Sequence, residues 1–123
     1  MAKRRSTKDL TTEAQVEQYN LLSPVLNAIS RELKELSKKK QDGVLSKLKV
    51  GMINKILEPI KQLLSGEPTA QFLELLDDET LPTNSDAVLV LAKVQAAMDQ
   101  FSKKYHRLDK GRFSSRWSTT ENP

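Results

Sequence analysis

Residues 12–36, TEAQVEQYNLLSPVLNAISRELKEL, decide the fold of this chain. The segment opens with Thr12, and Gln15 three positions later predicts the reciprocal hydrogen bonds of a capping box at a helix start. Apolar side chains then recur at alternating intervals of three and four residues: Tyr19, Leu22, Leu26, Ile29, Leu33 and Leu36. This spacing places one apolar stripe along a helix, so the segment predicts a long helix that packs against others.

Pro24 lies inside this stripe and permits two interpretations. Ser23 is a good N-cap, so a new helix starting there would place the proline in its first turn, where it is tolerated. The apolar spacing keeps its phase across Pro24, however, and this favours a single helix with a kink at the proline.

A second helix is predicted from about residue 44 to residue 65, after a turn at Asp42-Gly43. Gly66 stands just past its end, in the position of a C-cap. Pro59 predicts a bend, because a proline leaves the carbonyl one turn earlier without its usual donor. The apolar residues form a stripe wider than a coiled-coil seam: Leu45, Leu48, Met52, Ile53, Ile56, Leu57, Ile60, Leu63 and Leu64. That width predicts burial on more than one side of the helix.

Two further helices follow. A short one is predicted after Pro68, and its apolar residues are Phe72, Leu73, Leu75 and Leu76. The last helix is capped by Thr83 or Ser85, and its apolar residues repeat the alternating spacing of the first: Ala87, Leu91, Val94, Met98, Phe101 and Tyr105. We expect this stripe to face the core as well.

No segment shows the alternation of apolar and polar residues that predicts a strand. The chain is therefore predicted to be all-α, a small helical bundle of three long, kinked helices and one short helix. We expect residues 1–10 to form a flexible basic arm, residues 11–108 the helical domain, and residues 109–123 a flexible basic and aromatic tail. A length of 123 residues fits one such domain.

Composition excludes several classes of protein. The chain has no cysteine, so disulfides, thiolate metal sites and cysteine nucleophiles are excluded. The longest apolar run, residues 87–92, is too short to span a bilayer. No apolar segment follows the basic N-terminus, as a secretory signal would require. We expect a soluble, cytoplasmic protein with no membrane partner.

Positive charge is concentrated in the arm, in the turn after the first helix, and in the stretch KKYHRLDKGRFSSRW at residues 103–117. Such clusters bind phosphates, and Phe113 and Trp117 beside arginines are suited to stacking on unpaired bases. Alternatively, these two rings fold back onto the bundle. The candidate residues for contact with nucleic acid or a partner protein are Lys3, Arg4, Arg5, Lys38, Lys39, Lys40, Lys103, Lys104, Arg107, Lys110, Arg112, Phe113, Arg116 and Trp117.

Catalytic residues are scarce. His106, the only histidine, follows lysines at the end of the last helix, where a surface role is expected. The acidic residues Glu74, Asp77, Asp78 and Glu79 lack the ordered spacing and central glycine of a calcium loop and predict a solvated loop. The four glycines are scattered and form no phosphate-binding loop. We expect a protein that is not an enzyme and binds no metal or cofactor.

Two functional hypotheses follow. The preferred one is a non-catalytic helical adaptor or regulator that binds a partner protein through a helix face. With so few helices, we expect one apolar stripe to remain free for a partner. That partner is another protein or a second copy of this chain in a homo-oligomer. The alternative is a nucleic-acid-associated protein that contacts DNA or RNA phosphates through its basic arm and tail.

Overall fold

A computed structural model of the chain describes residues 11–109 and 114–117. Its helices are α1 (Glu13–Lys39), α2 (Lys47–Leu63), a 3₁₀ helix (Pro68–Phe72) and α3 (Asn84–Tyr105). The prediction of a small all-α fold is confirmed by this arrangement of three long helices and one short one.

The first helix, α1, begins with the predicted capping box. The hydroxyl of Thr12 accepts a hydrogen bond from the backbone N–H of Gln15 at 3.1 Å, and the side-chain oxygen of Gln15 accepts from the backbone N–H of Thr12 at 2.9 Å. The helix continues through Pro24, so the alternative of a restart at Ser23 is wrong, while the kink stays a prediction. The predicted stripe faces the core, with Leu22, Leu26 and Leu33 buried and Tyr19, Ile29 and Leu36 half-buried against them.

The second helix, α2, is shorter than predicted at both ends. Ser46 is its N-cap, because the Ser46 hydroxyl accepts a backbone N–H of the first turn, and the helix therefore begins at Lys47. Its last residue is Leu63 and its C-cap is Leu64. The prediction of Gly66 as the cap is therefore wrong, since the chain leaves the helix before it reaches the glycine.

Burial along α2 corrects a second expectation. The helix continues through Pro59, where the bend stays a prediction, and it buries one stripe: Val50, Ile53, Leu57, Ile60 and Leu63. Leu48 and Met52 are exposed. The prediction of burial on more than one side is therefore wrong for these two residues, because no described part of the chain covers the outer side of α2.

Residues 64–83, hereafter the connecting segment, join α2 to α3. Only residues 68–72 of this segment are helical, and Leu73 and Leu76 lie beyond the 3₁₀ helix in irregular chain, where both are buried. Thr83 then caps α3, because its hydroxyl accepts the backbone N–H of Asp86 at 3.2 Å. The whole predicted stripe of α3 is buried: Ala87, Leu91, Val94, Met98, Phe101 and Tyr105.

At one end of the bundle, hereafter the turn end, the turn between α1 and α2 contacts the start of α3. The backbone N–H of Asn84 donates to the carbonyl of Gly43 at 2.8 Å, and that of Leu45 donates to the carbonyl of Pro82 at 2.9 Å. The Asn84 side chain donates through Nδ2 to the carbonyl of Lys40 at 2.8 Å. A Cβ at Gly43 would lie 2.9 Å from this Nδ2, so a larger residue there would displace the Asn84 amide.

At the opposite end, hereafter the aromatic end, three aromatic rings close the core. Tyr19 stacks on Phe101 with ring centroids 5.7 Å apart, and Phe101 meets Tyr105 edge to face at 5.0 Å. The Tyr105 hydroxyl donates to Glu67, just after α2, at 2.9 Å. The start of α1 therefore meets the ends of α2 and α3, so α2 and α3 run parallel to each other and antiparallel to α1.

A short antiparallel hairpin follows α3 and was not predicted. It consists of β1 (His106–Asp109) and β2 (Ser114–Trp117), with Arg107 opposite Arg116. Neither strand has the apolar alternation on which strand prediction depends, which is why the sequence pattern missed them. The segment predicted as a tail thus contains a strand, and its flexibility stays a prediction.

Candidate interaction face

Helix α1 packs against both α2 and α3, and the outside of the bundle has a groove between each pair of helices. The connecting segment closes the groove between α2 and α3. Asn54 of α2 donates through Nδ2 to the carbonyl of Leu76 and accepts the Leu76 N–H at its Oδ1, both at 2.9 Å. Lys93 of α3 forms an ion pair with Glu74 at 3.5 Å. The segment is thus attached to both helices, and its buried Leu73 and Leu76 contribute to the core.

The groove between α1 and α3 is polar. Ser30 donates to the side-chain oxygen of Gln95 at 2.9 Å, and the Gln95 amide donates to Asn27 at 3.0 Å. Towards the turn end lies a shallow groove of about 440 Å³, whose lining includes Arg31 and Lys34. A groove of this composition suits water or small polar groups better than an apolar side chain.

The groove between α1 and α2 is apolar, and none of the residues that the structure describes covers it. On α1, Leu21 is 67% exposed and Val25 is 41% exposed, while on α2, Leu48 is 74% exposed and Met52 is 58% exposed. The two residues of each pair are four apart, so they lie one helical turn apart on the same side of their helix. These four residues are hereafter the α1–α2 face.

The polar contacts fix the direction in which this face points. Asn27 and Ser30 mark the side of α1 that faces α3, and Asn54 marks the side of α2 that lies under the connecting segment. At about 100° per residue, Leu21 and Val25 lie on the other flank of α1, and Met52 and half-buried Ile56 lie on the other flank of α2. Both flanks border the groove between α1 and α2.

Large apolar residues are exposed elsewhere as well, and Val44, in the turn before α2, is 63% exposed. Leu89 on α3 is 63% exposed, and Phe72 at the end of the 3₁₀ helix is 62% exposed. Single exposed apolar residues are ordinary on protein surfaces, whereas two exposed apolar pairs along one groove indicate a binding surface. Leu89 therefore serves as a matched control for Leu48.

The predicted basic residues that the structure describes lie at opposite ends of the bundle. Lys38, Lys39 and Lys40 are exposed at the turn end, where Lys38 pairs with Glu35 at 3.2 Å. Lys103 and Lys104 lie at the aromatic end. They form ion pairs with acidic side chains, Lys103 with Asp99 at 3.1 Å and Lys104 with Glu67 at 3.5 Å. These clusters do not form one continuous basic surface.

Lys104 belongs to a small network with Tyr105 and Glu67. Burial raises the pKa of Tyr105, and its hydrogen bond to Glu67 raises it further. Burial lowers the pKa of Lys104, but the hydrogen bond with Tyr105 and the charge of Glu67 outweigh this effect and leave the pKa raised. The ammonium also lies 5.1 Å from the centroid of the Tyr105 ring. These contacts engage Lys104 in closing the aromatic end.

The remaining predicted site residues lie either outside the described residues or in the hairpin, where only their strand pairing is described. Lys3, Arg4, Arg5, Lys110, Arg112 and Phe113 lie outside the described residues. Arg107 and Arg116 are opposite each other in the hairpin, where Trp117 pairs with His106. Contact of these residues with nucleic acid stays a prediction, and so does the alternative in which the rings of Phe113 and Trp117 fold back onto the bundle.

The acidic residues of the connecting segment form local contacts. Asp77 accepts the backbone N–H groups of Glu79 at 2.8 Å and Thr80 at 3.2 Å, which is the hydrogen-bonding pattern of an Asx turn. Within residues 11–109 and 114–117, no three His, Cys, Asp or Glu side chains come together in a way that would hold a metal ion. The helices in these ranges are also too short or too polar to cross a membrane.

Comparison with protein-family models, curated proteins and solved structures found no match. The candidate site therefore rests on geometry. Sequence reasoning had suggested a helix face for a partner without naming its residues. Leu48 and Met52 were part of the apolar stripe of α2, but Leu21 and Val25 lie outside the regular seam of α1 and gave no signal.

Proposed function

We propose that the protein is a non-catalytic helical interaction protein, an adaptor or small regulator that binds a partner protein through the α1–α2 face. The supporting observation is the exposure of four large apolar side chains along one groove. The other two grooves are closed by the connecting segment or lined by polar groups. Apolar surface grouped in this way is stabilised by removal from water, which binding provides.

The shape of the face suits an apolar helix side as its ligand. Anchors one turn apart on two neighbouring helices are the arrangement into which an amphipathic helix packs its own apolar stripe. The rim carries exposed charges of both signs, Glu17 and Glu32 on α1 and Lys49 and Lys55 on α2. Such rim charges orient a partner and set its register more than they add affinity.

An affinity capture with a matched pair of variants tests the proposal. Tagged protein, Leu48→Lys and Leu89→Lys are each used to capture partners from the source cells, with half of each sample treated with nuclease. We expect a stoichiometric protein that survives nuclease, is lost with Leu48→Lys and is retained with Leu89→Lys. Capture of the same proteins by all three chains would show that the α1–α2 face does not bind them.

A second candidate function, nucleic-acid binding, is favoured by the charge at the turn end. Lys38–Lys40, Lys47 and Lys49 are exposed at this end, and the positive potential from the N-termini of α2 and α3 exceeds the negative potential from the C-terminus of α1. Phosphates bound there would give a salt-dependent affinity. The basic arm and tail would add to this effect.

Titration of DNA and RNA oligonucleotides at several salt concentrations tests this candidate. The double variant Lys39→Glu/Lys40→Glu would reduce the logarithmic salt slope by roughly one for each phosphate that the variant no longer binds. Removal of residues 107–123 measures the part contributed by the tail. Binding that is absent, or that does not respond to salt, would exclude phosphate binding as the function.

A further inference from the structure

The apolar residues of the α1–α2 face occupy its two ends rather than its middle. Because α1 and α2 are antiparallel, Leu21 and Val25, in the first half of α1, lie towards the aromatic end of the groove. Leu48 and Met52, in the first two turns of α2, lie towards the turn end. Half-buried Ile56 lies between the two pairs. The face is therefore a stripe with an apolar pair at each end.

Such a stripe is self-complementary under a two-fold rotation. A two-fold axis that crosses the stripe near Ile56 places the Leu21–Val25 pair of one copy on the Leu48–Met52 pair of the other, and the reverse contact follows from symmetry. Each exposed pair is then covered by an apolar pair of the second copy. A two-fold axis that runs along the stripe would instead bring like ends together, so that each pair would meet the same pair of the second copy.

The charges distinguish between these two arrangements. Glu17 precedes Leu21 by one turn and is exposed at one end of the stripe. Exposed Lys49 precedes Met52 by one turn at the other end, and Lys39 lies two heptads from Val25 on the same side of α1. Exchange of ends brings Glu17 towards Lys49 and Lys39 of the second copy, whereas alignment of like ends opposes like charges.

The remaining charges along the groove are compatible with exchanged ends. Near the middle, Glu32 on α1 and Lys55 on α2 provide one charge of each sign. Glu35, closer to the turn end, is paired with Lys38 at 3.2 Å within the same helix. Neither the mixed charges near the middle nor the Glu35–Lys38 pair therefore opposes the exchange of ends that Glu17 and Lys49 favour.

We propose that the partner of the α1–α2 face is a second copy of this chain, related by a two-fold axis that exchanges the ends of the stripe. This inference rests on the proposed function, since it names the protein that the face binds. In the resulting dimer, the apolar pairs cover each other, and the end of the stripe at Glu17 meets the end at Lys49 and Lys39 of the second copy.

Disulfide trapping of the full chain tests the proposal, because the sequence contains no cysteine that would have to be removed. The variants Leu21→Cys, Leu48→Cys and Leu89→Cys are prepared with tags of different mass and oxidised singly and in pairs. We expect the mixture of Leu21→Cys and Leu48→Cys to form a cross-linked heterodimer in high yield. Leu89→Cys, which lies off the stripe, is expected to remain uncross-linked in every mixture.

Sedimentation equilibrium of the unmodified chain supplies the second measurement. We expect a concentration-dependent dimer that Leu48→Lys shifts to monomer and that Leu89→Lys preserves. Mixing Leu21→Glu with Leu48→Lys should restore dimers that neither variant forms alone, because only exchanged ends place the new acid opposite the new base.

Two other outcomes would each overturn one part of the proposal, either the exchange of ends or the second copy as partner. Cross-linking of Leu21→Cys and Leu48→Cys only with themselves would overturn the exchange of ends. A monomer at all concentrations, with no cross-link above the Leu89→Cys level, would overturn the second copy as partner. The proposed function fails separately, when Leu48→Lys captures the same cellular proteins as the unmodified chain.

Discussion

The two grooves that border α2 differ in what covers them. Towards α3, the connecting segment lies across the groove and is held by Asn54, which bonds both backbone groups of Leu76. Towards α1, Met52 remains exposed one turn after Leu48. Among the described residues, the connecting segment covers the α3 side of the helix, while the large apolar residues on its α1 side stay exposed.

This difference shows what an apolar stripe does and does not specify. The period of a stripe determines which residues share a side of a helix, while the path of other chain segments determines whether that side is buried. A covered groove contributes to the stability of the monomer. An uncovered groove contributes through association, so substitutions in the two grooves should affect different measurements.

The largest expected difference in the free energy of unfolding is between Leu57→Ala and Leu48→Ala, two truncations on the same helix. Leu57 is buried in the core, so its truncation should lower the free energy of unfolding by about 3–5 kcal/mol. Leu48 is exposed, and its truncation in dilute protein should change that free energy by no more than about 0.5 kcal/mol. Urea unfolding at low protein concentration measures both.

Repeating the measurement at high protein concentration sharpens the comparison. If the α1–α2 face associates, the unmodified chain gains stability with concentration by mass action and Leu48→Ala gains less. A loss for Leu48→Ala in dilute protein as large as that for Leu57→Ala would contradict the open groove, because it would mean that Leu48 is buried within the monomer.

A smaller effect is expected from Asn54, which attaches the connecting segment to α2. Asn54→Ala leaves the N–H and carbonyl of buried Leu76 without partners and should cost about 2–3 kcal/mol. Asn54→Asp retains an acceptor for the Leu76 N–H and should cost less. Asn20→Ala, on the exposed side of α1, serves as the control. Hydrogen exchange at the Leu76 amide should accelerate most in Asn54→Ala.

The opposite result for Asn54 would be equally informative. If Asn54→Ala unfolds with the stability of the Asn20→Ala control and Leu76 keeps its protection, the segment is held by its buried leucines alone. The contrast between the two grooves would then depend on apolar packing, and the polar attachment would be incidental.

Local signals in the sequence predicted much of the fold. The capping box of Thr12 and Gln15 lies within one helical turn and therefore needs no tertiary context. The stripes of α1 and α3 were also predictable, because every residue of each stripe faces the same core. The Asp42-Gly43 turn was predictable for a similar reason, since a glycine after aspartate is a strong breaker of helices.

What the sequence could not predict depends on contacts between distant segments. The exposure of Leu48 follows from the absence of a described segment over the outer side of α2, and helical spacing carries no information about that. Burial of Leu76 depends on a partner 22 positions earlier in the chain. The hairpin depends on pairing between β1 and β2 rather than on apolar alternation, so its short strands gave no signal.

A smaller loss than that of Asn54→Ala is expected at Glu67, another attachment of the connecting segment. Tyr105→Phe removes the hydroxyl that Glu67 accepts and should cost about 1–2 kcal/mol near neutral pH. Glu67→Gln keeps an acceptor while removing the charge, so it separates the hydrogen bond from the electrostatic contribution. Both are measured by urea unfolding beside the unmodified chain.

The pH dependence of the same network has a definite sign. The pKa of Tyr105 is raised by burial and by its bond to Glu67 above the ordinary value of 10.0, so the folded chain retains the phenol proton that the unfolded chain releases first. The resulting stability is present below about pH 10 and lost as pH rises through the raised pKa. Lys104, whose pKa is also raised, contributes with the same sign. Tyr105→Phe should therefore lose stability less steeply than the unmodified chain above about pH 10. An equally steep loss would mean that the phenol proton does not stabilise this attachment, leaving Asn54 as the principal polar anchor of the covered groove.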